Sequence, residues 1–316
     1  MSTAIVADPR DAAAPAVVGD VACVQLTLVN AYLVGPRGAA DRQWVLVDAG
    51  MSMSAPRIIA AAADRFGPTS RPAAIVLTHG HFDHVGSVRA LAEKWDAPVF
   101  AHPLELPYLN GDSDYPPPDP TVGGGLMAYM SPLFSRKGID LGERLYVLPT
   151  DGSVPGMPGW RWIHTPGHAP GHVSLFRDAD RTLIAGDAFV TQKQESALAV
   201  MTRAQRVHGP PAYFTIDWGA AERSVRELAR LRPEVAATGH GIPMAGGELR
   251  RQLDDLAAHF RERAVPADGR YVRRPAVTDE RGVRFIPLPV SDQRGAWIAA
   301  GLVLGVAAWA LWPRGR

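Results

Sequence analysis

The sequence predicts a layered α/β fold in which two β-sheets are covered by helices. Three observations support this. Strand-type and helix-type segments alternate through the N-terminal third. The second half repeats the layout, with strands, then a helix, then a strand that runs into a histidine. Ligand-type side chains gather where apolar runs stop, as expected of loops carried by a rigid scaffold.

The elements follow in order. "VACVQLTL", "NAYLVG" and "WVLVDAG" are β-branched or alternating runs broken by Gly and Pro, and predict strands. "APRIIAAAADRFG" predicts an amphipathic helix ending at Gly67. "AAIVLTH" is a short apolar run of the kind that forms a buried strand. "VGSVRALAEKW" then predicts a helix and "PVFAH" a strand. From 103 to 158 the periodicity fades, and "DSDYPPPDPTVGGG" excludes regular structure. A long irregular stretch with an apolar "LMAYMSPLF" predicts a cover packed near a functional site. Strands return at "WRWIHT", "HVSLFR" and "RTLIAGDAF", the last two joined by an Asp-Ala-Asp turn. "GAAERSVRELARLRP" predicts a helix, "EVAATGHG" a strand entering a loop, and "AGGELRRQLDDLAAHFRERA" a last long helix. Residues 265–294 read as an extended connector.

A chain of 316 residues with 47% hydrophobic content can bury a sizeable core. Its net charge of +1 carries no strong footprint for nucleic acid, and no nucleic-acid partner is expected. Cys23, the single cysteine, rules out an internal disulfide and suits a small buried hydrophobe. Residues 1–20 read as a tail without the basic start and apolar core of a secretory signal. Residues 295–312, "GAWIAAGLVLGVAAWALW", contain no charge and would span roughly 27 Å as a helix. Tryptophans near both ends and arginines denser before it than after it predict a C-terminal membrane anchor with a cytoplasmic main domain. Gly301 and Gly305 would let two such helices pack as a homodimer.

The chemistry concentrates in "LTHGHFDHVG", which holds three of the ten histidines. His79 and His81 do not share a helix face, but on a loop leaving a strand they can point to one side. Asp83 and His84 then turn toward a neighbouring point. One stretch can thus serve two metal ions. Imidazole and carboxylate suit zinc, iron or manganese.

This His-x-His-x-Asp-His run after a strand resembles the metallo-β-lactamase superfamily, over roughly residues 21–264. "HTPGHAPGHVSLF" resembles the family's third motif, "LIAGDAFV" the fourth, "ATGHGIP" the fifth and "WVLVDAG" the early acidic strand. The resemblance implies an αββα four-layer sandwich. It implies one divalent ion on His79, His81 and His168, and a second on Asp83, His84 and His240. Asp187 and a hydroxide would bridge them, and Asp48 would support the metal loop. Zinc is the expected metal, with iron or manganese as alternatives. Two such ions activate water at neutral pH, and Asp83 would manage the proton reaching the leaving group.

Within this family the absent motif cysteine argues against β-lactams. The short C-terminal remainder leaves no room for a flavin domain, and no basic insertion points to a nuclease. A small acyl substrate is therefore expected: a thioester, lactone or related ester. A phosphodiesterase or nuclease, and a non-catalytic membrane-tethered metal-binding module, are the alternatives. Leu126, Met127, Tyr129, Met130, Leu133 and Phe134 of the cover suggest an apolar acyl or aryl group. His172 reads as a residue supporting the ligands, and so does His164. His102 either borders the pocket or is structural, His208 and His259 look ordinary, and Asp217 and Trp218 could face the cavity.

Overall fold

The computed structural model describes residues 16–202 and 205–290. The first sheet contains β1 (Ala16–Val18), β2 (Val21–Gln25), β3 (Asn30–Val34), β4 (Val45–Val47), β5 (Ala74–Val76), β6 (Val99–Ala101) and β7 (Leu145–Val147), in chain order. β1 to β4 pair antiparallel, and β4 to β7 pair parallel. Parallel neighbours need crossovers. α1 (Ala55–Phe66) supplies the first, and α2 (Phe82–Val85) with α3 (Val88–Trp95) the second. α4 (Leu106–Leu109) and α5 (Leu126–Met130) lie in the cover, whose end contributes β7 to the sheet.

The second sheet has the order β12-β11-β10-β9-β8. Its strands are β8 (Trp160–His164), β9 (Val173–Arg177), β10 (Thr182–Gly186), β11 (Val235–Thr238) and β12 (Met244–Ala245). β10 and β11 run parallel, joined through α6 (Ala197–Thr202) and α7 (Trp218–Arg230). α8 (Gly246–Ala258), α9 (Phe260–Arg263) and a hairpin of β13 (Val277–Asp279) and β14 (Gly282–Phe285) follow.

The strand alternation produces the layers. Ala22, Val24, Ala31 and Leu33 face a core shared with Ile58, Phe66, Leu91 and Trp95 of α1 and α3. Their neighbours Val21, Cys23, Tyr32 and Val34 face the other way, into a core shared with Val173, Leu175, Ile184 and Ala237 of the second sheet. Leu183 and Ala185 then face Val225, Leu228, Leu249 and Leu253 of α7 and α8. The order is helix, sheet, sheet, helix, as the motif resemblance implies. Cys23 lies between the sheets, where burial pushes its thiol up to about 12.

Two expectations need correction. The last long helix is two: His259 adopts φ −119°, ψ 34° and separates α8 from α9. That bend turns Phe260 inward toward Trp218, at 6.4 Å between rings. The connector is not extended throughout, because β13 and β14 satisfy each other's backbone groups and dock on the cover. There Val283 N donates to Ser113 Oγ at 3.3 Å and Tyr271 Oη to the Pro117 carbonyl at 2.6 Å. Among the described residues no helix is long and apolar enough to cross a membrane. The predicted anchor, 295–312, lies outside the described residues.

Candidate metal centre

Each chemistry-bearing residue sits just beyond a strand. β5 ends at Val76, and the chain leaves the sheet through Thr78, His79, Gly80 and His81 before α2 begins. Asp83 and His84 fall within that short helix. His168 and His172 lie in the loop from β8 to β9, Asp187 directly follows β10, and His240 follows β11. The first sheet grips the last of these loops. Asn30 Nδ2 donates to the Thr238 and Gly241 carbonyls at 2.9 and 2.7 Å, and Tyr32 Oη to the Thr238 carbonyl at 2.6 Å. Gly239 must be glycine there, because a Cβ would stand 2.0 Å from Asp187 Oδ1.

The structure brings all seven predicted residues together. His79, His81 and His168 form one trio of potential ligand atoms within 4.8 Å of one another, and Asp83, His84 and His240 form another. Asp187 stands between them. Its Oδ2 is 3.4 Å from His168 Nε2, 3.5 Å from His84 Nε2 and 3.0 Å from His240 Nε2. Asp83 Oδ2 is 3.5 Å from His240 Nε2. Six of the seven are buried; Asp83 is half-buried and opens toward solvent.

For four of the five histidines, hydrogen bonds to the other ring nitrogen settle which atom faces the site; His81 Nδ1 instead lies 3.0 Å from His168 Nε2. His84 Nδ1 donates to Asp48 Oδ2 at 2.8 Å. His240 Nδ1 donates to the Leu28 carbonyl at 2.6 Å. Thr78 spends its hydroxyl proton on Asp48 Oδ2, so its oxygen accepts from His79 Nδ1 at 3.1 Å. Thr215 likewise donates to the Pro211 carbonyl and accepts from His168 Nδ1 at 3.4 Å. In the neutral imidazoles each Nε2 then carries a lone pair. Acceptor faces acceptor across the site, which is repulsive unless a cation or a proton lies between.

The centre fits a cation on two further counts. His79 Nε2, His84 Nε2 and Asp187 Oδ1 are buried without a hydrogen-bond partner, an arrangement otherwise costly. The electrostatics agree. Burial pushes His79 and His81 well below the ordinary imidazole range, and His168 to about 4. Burial disfavours charge on His84 and His240 too, yet Asp187, with Asp48 beside His84 and Asp83 beside His240, raises both. Burial would raise Asp187, but His240 and His84 hold it well below the carboxylate range. The site thus favours positive charge beside Asp187.

His172 does not join the trios. Ser174 donates to the Ala185 carbonyl, Thr165 to Ser174, and His172 Nδ1 to Thr165 at 2.9 Å. His172 Nε2 is left to accept the Asp187 N–H at 2.8 Å. His164 holds the Pro170 carbonyl at 2.9 Å and stacks on His102 at 4.2 Å. His102 also accepts from Leu104 N, which suits its structural reading.

Two expectations about the surroundings are corrected. Asp217 caps α7 by accepting from Ala220 N at 2.9 Å, and Trp218 packs in the helix–sheet core, so neither faces the centre. Instead Phe214 packs on His81 at 4.7 Å, within a group containing Phe82, Phe134 and Tyr213. Of the cover's apolar residues, Met127 and Phe134 join this group. Leu126, Tyr129, Met130 and Leu133 are exposed. The Asp-x-x-Ala start of α7 was a legible cap signal; Tyr213 and Phe214 carried none.

Comparison with known proteins agrees with this geometry. A family model described as the metallo-beta-lactamase superfamily matches residues 24–240. Probable metallo-hydrolase YflN of Bacillus subtilis (strain 168) is 51% identical over 230 residues, covering 73% of this chain and 87% of that protein. Probable metallo-hydrolase YybB of the same organism is 31% identical over 196 residues, covering 62% and 74%. Among solved structures, the metallo-beta-lactamase family protein TTHA1429 from Thermus thermophilus shares the fold. It has a TM-score of 0.54 and 21% identity over 78% of this chain and 81% of that one. Sequence, layer order and matched region agree, and the chain belongs to the metallo-β-lactamase superfamily.

Proposed function

We propose that the chain is a dinuclear metal-dependent hydrolase of small acyl compounds, namely thioesters, lactones or related esters. The observation that carries this is the pair of ligand trios meeting at Asp187, with their ring nitrogens turned inward. Zinc suits the donor set, with iron and manganese as alternatives. Two bound divalent cations would supply Lewis acidity and an activated water at neutral pH.

The chain's own residues do the rest. His79, His81 and His168 are held neutral by burial and offer lone pairs at one position. Asp83, with His84 and His240 once these give up the protons that Asp187 favours, offers lone pairs at the other, and Asp187 serves both. Asp83 is the carboxylate of the set that reaches solvent, which supports its holding the proton that a leaving group needs. Phe82, Phe134, Tyr213 and Phe214 offer apolar faces beside His81 for an acyl or aryl group.

Purified, metal-loaded protein should turn over at least one member of a thioester and lactone panel, and chelation should abolish that turnover with the fold retained. Activity confined to phosphodiesters would overturn the acyl assignment. Chelation that unfolds a chain inactive on every substrate would instead favour a structural metal module. Asp83→Ala should lower turnover; normal turnover at normal metal content would remove its proton role. We also propose that residues 295–312 tether a cytoplasmic domain to the membrane. Full-length protein found wholly in the soluble fraction, indistinguishable from a chain truncated at Gly295, would dismiss the tether.

A further inference from the structure

Glu105 is fully buried, and neither Lys nor Arg pairs with it among the described residues. A carboxylate in that position is expensive, and burial pushes it up to about 7. Its partners are all polar groups of the metal loops or of the cover. Glu105 Oε2 accepts from Gly80 N at 2.8 Å and from the Tyr115 hydroxyl. Glu105 Oε1 accepts from Gly171 N at 2.7 Å. The Tyr115 oxygen in turn accepts from Gly80 N at 2.9 Å.

The positions of these donors matter. Gly80 separates His79 from His81. Gly171 precedes His172, whose Nε2 holds the Asp187 backbone, and closes the turn that carries His168. One carboxylate therefore joins the two loops that furnish the first trio. The approach is close: a Cβ at Gly171 would lie 2.8 Å from Glu105 Cγ, and one at Gly80 would lie 2.6 Å from Tyr115 Oη. Tyr115 adds a second restraint. Its ring packs on His81 at 4.5 Å and is stacked on Tyr108 at 3.9 Å. Glu105 and Tyr115 both belong to the covering segment, so the cover is bonded to the loops beneath it.

We infer that Glu105, with Tyr115, is a positioning residue that sets the spacing of His79, His81 and His168 and so the affinity of that trio for its cation. The inference rests on the metal-centre reading and not on the choice of substrate. An acceptor is needed on both sides of residue 105. A carboxylate supplies two; an amide supplies one and turns an NH2 toward the other backbone N–H. The donor left over is buried and repelled, and the loops must part to relieve it.

The test is metal binding by the full chain: wild type, Glu105→Gln and Tyr115→Phe, titrated with zinc against a competing chelator and with cobalt(II) followed by its visible spectrum. Wild type should bind two ions. Glu105→Gln should bind one of them about 10- to 100-fold more weakly, with an altered cobalt spectrum. Tyr115→Phe, which keeps the ring and loses the hydroxyl, should show a smaller change in the same site and remains informative if Glu105→Gln does not fold. A variant with a lowered melting temperature but wild-type affinities and spectrum would overturn the inference and leave the metal centre standing. A wild type that binds no metal would overturn both.

Discussion

Asp48→Asn isolates the electrostatics of the centre without touching a predicted ligand. Asp48 receives three donors: Thr78 N on Oδ1, and Thr78 Oγ1 and His84 Nδ1 on Oδ2, each at 2.8 Å. Its own backbone holds φ +60°, a left-handed conformation that these bonds help to maintain. An amide cannot serve all three. With its oxygen toward Thr78 N, its NH2 faces the His84 and Thr78 protons. With its oxygen toward His84, its NH2 faces Thr78 N–H. In the first arrangement His84 escapes by moving its proton to Nε2, the atom that faces Asp187. Losing one bond to a charged acceptor costs about 1.5–3 kcal/mol. At about 1.4 kcal/mol per tenfold, the cation shared by Asp83, His84 and His240 should bind roughly 10- to 100-fold more weakly. Competition titration with a chelator reads the affinity, and nitrogen NMR of the histidines reads the tautomer. Wild-type affinity at both positions, with His84 still carrying its proton on Nδ1, would refute the claim that Asp48 sets the binding tautomer.

The remaining predictions concern protons and packing. In the metal-free chain His168 at about 4 and His172 at about 3 lie below the unfolded imidazole value of about 6.5, so the unfolded chain binds more protons as pH falls. Their contribution to stability is full above that value and is lost as pH drops toward 4, at up to about 1.4 kcal/mol per pH unit for each. His84 and His240 are raised, so their contribution is full below about 6.5 and is lost as pH climbs through their folded values. Urea melts with chelator present should therefore show stability falling on both sides of about pH 6.5; a profile rising steadily with pH would contradict the assignment. Metal binding near neutral pH should expel protons from His84 and His240, seen as a dependence of the calorimetric heat on buffer ionisation, and no dependence would count against their being charged. His172→Ala should cost about 1–3 kcal/mol by leaving the Asp187 N–H without an acceptor, and an unchanged melting temperature would show that this bond is dispensable.

How much of this was readable beforehand depended on how local each determinant is. The two sheets were legible because alternation is a local property. Val21 and Cys23 face one core while Ala22 and Val24 face another, so both faces are buried and the run reads as a strand even though its letters are apolar throughout. The break at His259 was not legible, since α8 and α9 share an unbroken helical pattern and the bend brings Phe260 against Trp218 of α7 in the same core. Glu105 and Tyr115 were invisible for a related reason. They sit where periodicity fails, and their partners are backbone groups, which have no sequence signature.

The clearest case is "PGHAPGH", where the same two letters, Pro-Gly, precede both His168 and His172. Spacing assigns neither. What separates them is the partner of the second ring nitrogen and the direction of the first. For His168, Thr215 accepts from Nδ1 and leaves the Nε2 lone pair among the ligands, 3.0 Å from His81 Nδ1 and 3.4 Å from Asp187 Oδ2. For His172, a chain of hydroxyls ending on the Ala185 carbonyl also takes the Nδ1 proton, but Nε2 is already occupied by the Asp187 N–H. Both imidazoles are buried and neutral, with the same tautomer. One presents its lone pair to the centre and the other spends it on the backbone that carries the shared aspartate. That difference is made where β10 ends and turns the Asp187 N–H onto His172 Nε2, so the second histidine's role is set by a strand end that lies outside its own motif.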